Sequence, residues 1–374
     1  MSQISPYNIR AMIPIDSVMF VDREREKRRI EAMISSDTPQ SVSIIGERRI
    51  GKSSLAFRVY HKMKEMEKTL AVYLNCDGLS DLLNSKDKFF ELLNKLFLEV
   101  LEDKPEIKAL LGKESNTLFD TYTSFKTFIQ NCGKRKGIKT IIFIDEFEHL
   151  PKNKFADNTF FSNLRAMADN PDNHMAFVTI SKKELEKLAH QSITTSNFWN
   201  IFVVVIIGLL DQESIDKLRK YGFERDYFSL TEEEIKKIHY YAGYFPFFNQ
   251  MVLDFLWNSK SHNEPMDWDN LEVEIFPHYK ELWEGRSIKE QKLLKKLIYK
   301  NYLDDFALKE MRTRGIVSEE NDSYFAFSDY FEDLIKNRFR INRKKVTFER
   351  ILQYSVKILD IFKKIKEISG GKGN

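Results

Sequence analysis

Cysteine is scarce in this chain, and no apolar stretch is long enough to cross a membrane. Cys76 and Cys132 are the two cysteines among 374 residues, too few for a disulfide framework and typical of a reducing compartment. The most apolar stretch, residues 198–210, has only about half of what a membrane span needs. Residues 1–6 lack the basic start and apolar core of a signal peptide. We therefore expect a cytoplasmic protein with no membrane association.

An excess of one charge sign is also missing. The 59 Lys and Arg residues face 56 Asp and Glu residues, and the net charge of +3 is too small to indicate a polyanionic partner by itself. No Ser-His-Asp or nucleophilic cysteine arrangement can be recognised, and Cys76 and Asp77 lack partners at the spacing of metal ligands. The length predicts two or three domains, and the 42% hydrophobic content is ample for a packed core.

One segment fits the phosphate-binding pattern Gly-x4-Gly-Lys-[Ser/Thr] at every fixed position. The apolar run 41–45 before it predicts a buried strand, and residues 54–63 after it predict a helix. A loop in this context turns backbone N–H groups and a helix N-terminus toward one point, which suits an anion. The predicted nucleotide-binding residues here are Gly46, Glu47, Arg48, Arg49, Ile50, Gly51, Lys52, Ser53 and Ser54.

Two side chains of this loop have predicted chemical roles. Lys52 is expected to reach the β- and γ-phosphates, and the Ser53 hydroxyl is expected to hold Mg²⁺. The sequence therefore predicts that the chain binds a nucleoside triphosphate.

A pair of acids follows the apolar run 140–144. Its position predicts two carboxylates at the carboxyl end of a strand, where open α/β sheets bind ligands. Asp145 is predicted to coordinate Mg²⁺, and Glu146 to orient and deprotonate the attacking water. Thr179, near the end of the next strand with Ser181, could contact the γ-phosphate or that water; a hydroxyl bonded to nearby backbone is the open alternative.

Five short apolar runs alternate with helical stretches and determine the predicted fold class. Because they are rich in Val, Ile and Phe without clean alternation, they predict strands buried on both faces of a parallel sheet. The class is α/β, a five-stranded P-loop NTPase sheet with helices on both faces. The predicted strands are Val42–Ile45, Leu70–Asn75, Lys139–Ile144, Met175–Ile180 and Ile201–Ile207.

After Gly208 the strand pattern stops, and helices follow. Three helices within 208–262 predict a lid, the second of them starting at a capping box, Thr231 to Glu234. Helices, a polar turn and two short strands within 263–340 predict a winged helix. The predicted organisation is an N-terminal extension (1–17), a P-loop domain (18–207), the lid, the winged-helix domain and a basic helical tail (341–374).

Several motifs together resemble the archaeal-type and STAND-type ATPases of the AAA+ group. Residues 20–26 look like the Phe-Val-Gly-Arg-Glu-x-Glu box of that group, with Asp22 where Gly is usual. Residues 46–55 are similar to its Gly-x-Arg-Arg-[Ile/Val]-Gly-Lys-[Thr/Ser]-Ser-Leu form, and residues 196–202 and 242–246 look like later landmarks. The resemblance spans roughly residues 6–256 and does not cover the tail.

The resemblance implies ATP as the nucleotide and adds four residues to the site. It implies that Phe20, Val21 and Arg23 lie by the adenine and ribose, and that Pro246 faces the nucleotide from the lid. A γ-phosphate sensor or a contact to a neighbouring subunit is left open among Arg48, Arg49 and Arg165.

Three functions remain open at this point. The first is an ATP-driven regulatory switch that changes conformation or self-associates, or controls a separately encoded effector. The second is a DNA-binding ATPase of the origin-recognition or transposition-helper kind, using the winged helix and the basic run Lys336–Lys345. The third is a nucleotide-binding scaffold that hydrolyses little.

Overall fold

The five apolar runs form one parallel sheet with strand order β2-β3-β4-β1-β5. A computed structural model describes residues 4–7, 12–79, 84–112, 118–188, 195–224, 228–300, 305–320 and 323–341. The predicted α/β class with a five-stranded sheet is confirmed. The strands of the sheet are β1 (Ser41–Gly46), β2 (Thr69–Asn75), β3 (Lys139–Asp145), β4 (Met175–Ser181) and β5 (Phe202–Ile207).

Helices cover the sheet and continue beyond it toward the C-terminus. Those around the sheet are α1 (Glu24–Ile34), α2 (Lys52–Glu65), α3 (Lys86–Glu102), α4 (Pro105–Leu111), α5 (Tyr122–Gln130) and α6 (Asn158–Ala168). Those that follow β5 are α7 (Gln212–Glu224), α8 (Glu232–Ala242), α9 (Pro246–Ser261), α10 (Trp268–Glu284), α11 (Ile288–Lys300), α12 (Asp305–Thr313) and α13 (Asp329–Asn337). None of the helices in the described ranges is long and apolar enough to span a bilayer.

Alternate side chains of the strands enter two separate cores, one on each face of the sheet. In β3, Ile141 and Phe143 join the first core, whereas Ile142 and Ile144 join the second. The second core is rich in phenylalanine from α3, α5 and α6. The first core runs from α1 and α2 through α9 and α10 to α13. The C-terminal helices therefore share a continuous hydrophobic core with one face of the sheet.

The predicted burial on both faces does not hold for β5. Only Val205 and Ile207 of its six residues are buried, and Val204 is 37% exposed. Strand β5 lies at an edge of the sheet, next to β1, and few helical residues pack on it. The other edge strand, β2, is largely buried because α2 and α3 cover it. An apolar run in sequence does not reveal whether its strand is central or at an edge.

The first three helices after β5 begin within one residue of the predicted positions. Thr231 Oγ1 accepts a hydrogen bond from the Glu234 backbone N–H (3.2 Å), and the Glu234 carboxylate accepts one from the Thr231 N–H (2.7 Å). These bonds form the predicted capping box of α8. The sequence did not indicate α10, which packs on α9 through stacked rings of Tyr279 and Phe248, 4.0 Å apart.

The region after α10 contains two helices, an antiparallel strand pair and a further helix. The strands are β6 (Val317–Glu320) and β7 (Ser323–Ala326). This order matches the outline on which the winged helix was predicted, and the assignment to that fold stays a prediction. The tail 342–374, including Arg343, Lys344 and Lys345 of the basic run, lies outside the described residues.

Gly243 is the point where the end of α8 contacts the C-terminal region most closely. Its φ is +49°, and an added Cβ would lie 1.7 Å from the Phe327 carbonyl oxygen. We expect Gly243→Ala to lower the free energy of unfolding by about 2–5 kcal/mol, from a left-handed backbone combined with overpacking. Gly137→Ala is the control, because Gly137 has φ +64° but open space around it.

Denaturant unfolding of both variants measures the difference. The control should lose only about 1–2 kcal/mol, the cost of the left-handed backbone. Equal losses in the two variants would show that the contact with Phe327 does not constrain the fold.

Candidate nucleotide-binding site

The predicted phosphate-binding loop joins β1 to α2, and its two glycines have distinct structural roles. Gly46 ends β1, and a Cβ there would lie 2.5 Å from the Ile207 carbonyl oxygen. Gly51 has φ +102° at the N-cap of α2, a conformation that a side chain would strain. Between them Ile50 is fully buried. The loop is therefore fixed by backbone proximity on one side and a core residue on the other.

Lys52 lies inside the site and not at its surface. Its ammonium group is buried and donates a hydrogen bond to the Glu47 carbonyl oxygen at 2.9 Å. Burial lowers the pKa of Lys52, while the carboxylates of Glu148, Glu146 and others nearby act to raise it. A buried cation with acids around it is suited to an anionic ligand. Ser53 follows at the start of α2, and the Ser54 hydroxyl accepts a bond from the Ile13 N–H (3.2 Å).

The two predicted acids lie where β3 ends. Asp145 is buried, and its Oδ1 accepts a hydrogen bond from the Glu146 backbone N–H at 2.8 Å. Glu146 has φ +48°, a conformation that is uncommon outside glycine and typical of functional sites. Burial and the charge of Glu148 raise the pKa of Glu146. A carboxylate with a raised pKa is better matched to accepting a proton near neutral pH.

Tyr73 of β2 is a site residue that the sequence did not reveal. Its hydroxyl donates a hydrogen bond to Asp145 Oδ2 at 2.7 Å, and its ring stacks on Phe143. Burial, together with the Asp145 charge, raises the pKa of Tyr73, so it remains a donor. Such a partner fixes the orientation of a carboxylate. The two residues are 72 positions apart, and no local pattern signals the pairing.

Several buried oxygens around the loop have no hydrogen-bond partner within the described part of the chain. They include Thr179 Oγ1 of β4 and both carboxylate oxygens of Glu148. Glu148 Oε1 also lies 3.5 Å from the Lys182 ammonium, an ion-pair distance. No group of three or more His, Cys, Asp or Glu that could hold a metal occurs in the described ranges. The predicted ligands Ser53 and Asp145 would give Mg²⁺ one hydroxyl and one carboxylate. Phosphate and water oxygens would have to supply its other ligands.

The residues predicted to lie by the adenine and ribose come together around one narrow cavity of about 30 Å³. Phe20, Val21, Arg23 and Pro246 line it together with Gly51 of the loop. The buried Arg23 guanidinium donates to the Gly208 carbonyl oxygen at 2.6 Å. A purine base is larger than this cavity, so binding there requires the lining side chains to move apart.

A left-handed turn precedes α1 at this cavity. Asp22 and Arg23 have φ of +63° and +74°. Glycine favours this conformation, which accounts for the usual residue at position 22 in the group that the sequence resembles. Asp22 adopts it despite its side chain.

The three arginines left open as sensors each have a partner in the protein. Arg48 forms an ion pair with Glu281 of α10. The guanidinium of Arg49 lies 4.2 Å from the Phe247 ring centroid. Arg165 pairs with Asp169 one turn away, at 3.3 Å. Two of the three thus connect the phosphate-binding loop to the helices after β5.

The profile of a family described as an ATPase domain predominantly from Archaea matches residues 20–246. The chain belongs to this family. The match covers the loop, the acid pair and the residues around the cavity. Proteins of an ATPase family bind ATP, so the family match supports ATP as the predicted nucleotide as well as the predicted fold.

Further comparisons found three similar proteins. An uncharacterised ATP-binding protein of Methanocaldococcus jannaschii is 26% identical over an alignment of 160 residues, and the match covers 35% of this chain and 43% of that protein. The match thus spans less than half of that relative. A Walker-type ATPase of Pyrococcus abyssi has a TM-score of 0.56 at 14% identity, covering 88% of this chain and 99% of the other. The ORC2 protein of Aeropyrum pernix has a TM-score of 0.49 at 12% identity, covering 86% and 97%.

If Asp145 coordinates Mg²⁺, as the sequence predicts, Tyr73→Phe should weaken Mg²⁺ binding without removing a metal ligand. Loss of the hydroxyl frees Asp145 to rotate, and partners of this kind typically contribute about 10–100-fold to metal affinity. We therefore expect the Mg²⁺ concentration that gives half-maximal ATP binding to rise about tenfold or more. Tyr60→Phe is the matched control, because its ring also packs on Phe143. An unchanged Mg²⁺ requirement would show that Tyr73 does not orient Asp145.

Proposed function

We propose that this archaeal-type ATPase hydrolyses ATP with Mg²⁺ and acts as a regulatory switch. The observation that carries the proposal is the closeness of Lys52 to the acid pair, whose charges act on the Lys52 pKa. A cation for the phosphates and a carboxylate with a raised pKa then share one site. Phosphoryl transfer to water needs mainly such positioning and charge stabilisation.

Each residue of the site has a separate task in this proposal. Ser53 and Asp145 would hold Mg²⁺, which neutralises phosphate charge when bound. Lys52 leaves the Glu47 carbonyl oxygen and contacts the β- and γ-phosphates. Glu146 orients the attacking water and takes its proton, while Thr179 offers its unpartnered hydroxyl to the γ-phosphate or the water.

The base and ribose would lie between the N-terminal box and the lid. Phe20 and Val21 contribute apolar surface on one side of the narrow cavity, and Pro246 on the other. Since the cavity has to widen, ATP binding would displace α9 relative to the sheet. This displacement would provide the first step of the conformational change.

Contacts between the loop and the C-terminal helices support a switch over a passive scaffold. Arg48 and Arg49 contact Glu281 of α10 and Phe247 of α9. Gly315 lies so close to Gly208 at the end of β5 that a Cβ on it would be 3.3 Å from the Gly208 carbonyl carbon. A rearrangement of the loop on ATP binding would therefore reach the C-terminal region directly. The output would be self-association or control of a separately encoded effector, in the cytoplasm.

Light scattering coupled to size exclusion tests the switch. We expect the mass or the hydrodynamic radius of Glu146→Gln protein to change on addition of Mg²⁺ and ATP, and to stay at the nucleotide-free value with ADP. Wild-type protein should return to that value as ATP is consumed. Identical mass and radius in all states would remove the support for assembly or large rearrangement.

DNA binding is the second candidate, supported by the basic run at the end of the described chain. Lys336 already pairs with Glu332 at 2.7 Å, and the Arg338 guanidinium lies 5.7 Å from the Phe276 ring centroid. Part of the run is thus engaged by the protein itself. If it binds DNA, affinity should fall steeply with salt and collapse when its six basic residues are neutralised. Absence of binding at low salt would eliminate this candidate.

A further inference from the structure

A buried network of four charged side chains joins the phosphate-binding loop to the C-terminal region. Glu47 of the loop is 4% exposed, and Arg286 and Arg314 are 3% and 9% exposed. Arg286 donates from both terminal nitrogens to the two Glu47 carboxylate oxygens, one bond measuring 2.8 Å. Arg314 Nη2 lies 2.6 Å from Glu47 Oε1. Two-pronged contacts of this type fix geometry as well as charge.

Glu290 at the start of α11 balances the second positive charge. Arg314 Nη1 donates to Glu290 Oε1 at 2.8 Å, and Arg286 Nη1 lies 3.7 Å from the same oxygen. The charges of the two arginines lower the pKa of Glu290 to about 2, despite its burial. The centre of the network thus pairs two cations with two anions, and Glu310 Oε1 lies at its edge, 4.0 Å from Arg314 Nη1. Removal of one central member leaves an uncompensated charge among buried groups.

Arg286 and Glu290 also have hydrogen bonds that do not involve Glu47. Arg286 Nε donates to the Leu282 carbonyl oxygen at 3.0 Å, and the Ser287 hydroxyl and N–H both donate to Glu290 Oε2. The two arginines and Glu290 thus form a charged socket, a set of three side chains that receives the Glu47 carboxylate. Glu47 is the one member that the phosphate-binding loop supplies.

Glu47 links this socket to the catalytic lysine. Its carboxylate contacts the arginines, while its carbonyl oxygen accepts the Lys52 ammonium (2.9 Å) and the Ile50 N–H (3.3 Å). Glu47 therefore anchors the loop backbone next to Lys52, and any displacement of Glu47 changes the shape of the loop.

We propose that Arg286 and Arg314 are positioning residues of the nucleotide site, which hold the phosphate-binding loop in its ATP-binding conformation through Glu47. The proposal rests on the proposed function only in that ATP binds at this loop. Neither arginine needs to touch the nucleotide. The docked C-terminal region is then a condition for high ATP affinity.

A double-mutant cycle on full-length protein tests this proposal by titration with ATP and Mg²⁺. The variants are Glu47→Gln, Arg286→Gln and the double variant, with the dissociation constant and the number of sites per chain both measured. Each single change should weaken ATP binding at least tenfold with about one site per chain. The double variant should bind no more weakly than either single one, because its remaining Arg314 and Glu290 are again balanced.

Three comparisons separate positioning from a general loss of structure. Irreversibly misfolded protein lowers the number of sites and leaves the dissociation constant unchanged, whereas a mispositioned loop raises the dissociation constant with about one site per chain. Reversible unfolding would also raise the apparent dissociation constant, so each variant is first shown by thermal unfolding without nucleotide to be folded at the assay temperature. Glu319→Gln is the matched control, because it breaks an ion pair with Arg312 that lies within the C-terminal region and does not involve the loop, and it should leave affinity within threefold. If Arg286→Gln does not fold, Arg286→Lys takes its place in the cycle under the same criterion, since lysine lacks the two-pronged geometry.

The results that overturn the proposal are distinct from those that overturn ATP binding. The proposal is wrong if the losses of ATP affinity in the two single variants multiply in the double variant. It is also wrong if either single variant binds ATP as tightly as wild type or more tightly, because the network then does not position the loop. Wild-type protein that fails to bind ATP would refute the proposed function instead.

Discussion

Lys52→Ala is expected to reduce ATP affinity on the order of 100-fold or more. Removing one partner of a desolvated charge contact typically costs about 2–5 kcal/mol, and the buried Lys52 ammonium is the cation that the structure places inside the loop. Titration with a fluorescent ATP analogue in the presence of Mg²⁺ measures the loss.

Lys104→Ala is the control for this experiment. Lys104 is also a buried lysine whose ammonium donates to a backbone carbonyl, that of Met66 at 2.7 Å. It lies outside the predicted site, so ATP affinity should remain within threefold. Retained affinity in Lys52→Ala would contradict the assignment of the phosphate-binding loop.

Glu146→Gln should separate ATP binding from ATP hydrolysis. An amide cannot accept the proton of the attacking water, and general-base catalysis contributes about 10²–10⁴-fold to a rate. We expect kcat to fall by that factor while ATP affinity stays within threefold. Phosphate release under saturating ATP measures kcat, with Lys52→Ala as the baseline without bound nucleotide.

The pH dependence of wild-type turnover gives a second readout of Glu146. A general base has to be deprotonated, so the rate falls as pH drops through its pKa. Because burial and Glu148 raise that pKa, the fall should begin at a higher pH than for an ordinary glutamate, and it should vanish in Glu146→Gln. Equal, slow turnover in wild type and variant would favour the scaffold that hydrolyses little.

Local sequence patterns were sufficient for the parts of the site that are contiguous in the chain. The loop pattern and the strand that ends in Asp145 and Glu146 each carry their signal within a few residues. The order of neighbouring strands is not contained in such patterns. It decides that Tyr73 of β2 faces Asp145 of β3, and it makes β5 an edge strand.

Two features that involve the region after β5 could not be predicted from the sequence: helix α10 and the pairing of Glu47 with Arg286. Helix α10 contains Pro277, and a proline inside a helical stretch argues against a helix because it removes a backbone donor and crowds the preceding turn. Packing of α10 on α9 outweighs that cost. The pairing of Glu47 with Arg286 spans 239 positions, and the many charged residues of the chain give no indication of which distant pair will be buried together.

Amide hydrogen exchange of residues 268–341 in Glu146→Gln protein is the most direct test of the proposed switch. The protein is compared without nucleotide, with Mg²⁺ and ADP, and with Mg²⁺ and ATP, at saturation in each case. The switch predicts that exchange in α10–α13 with ATP differs from exchange in both other states. Identical exchange across this region in all three states would contradict it.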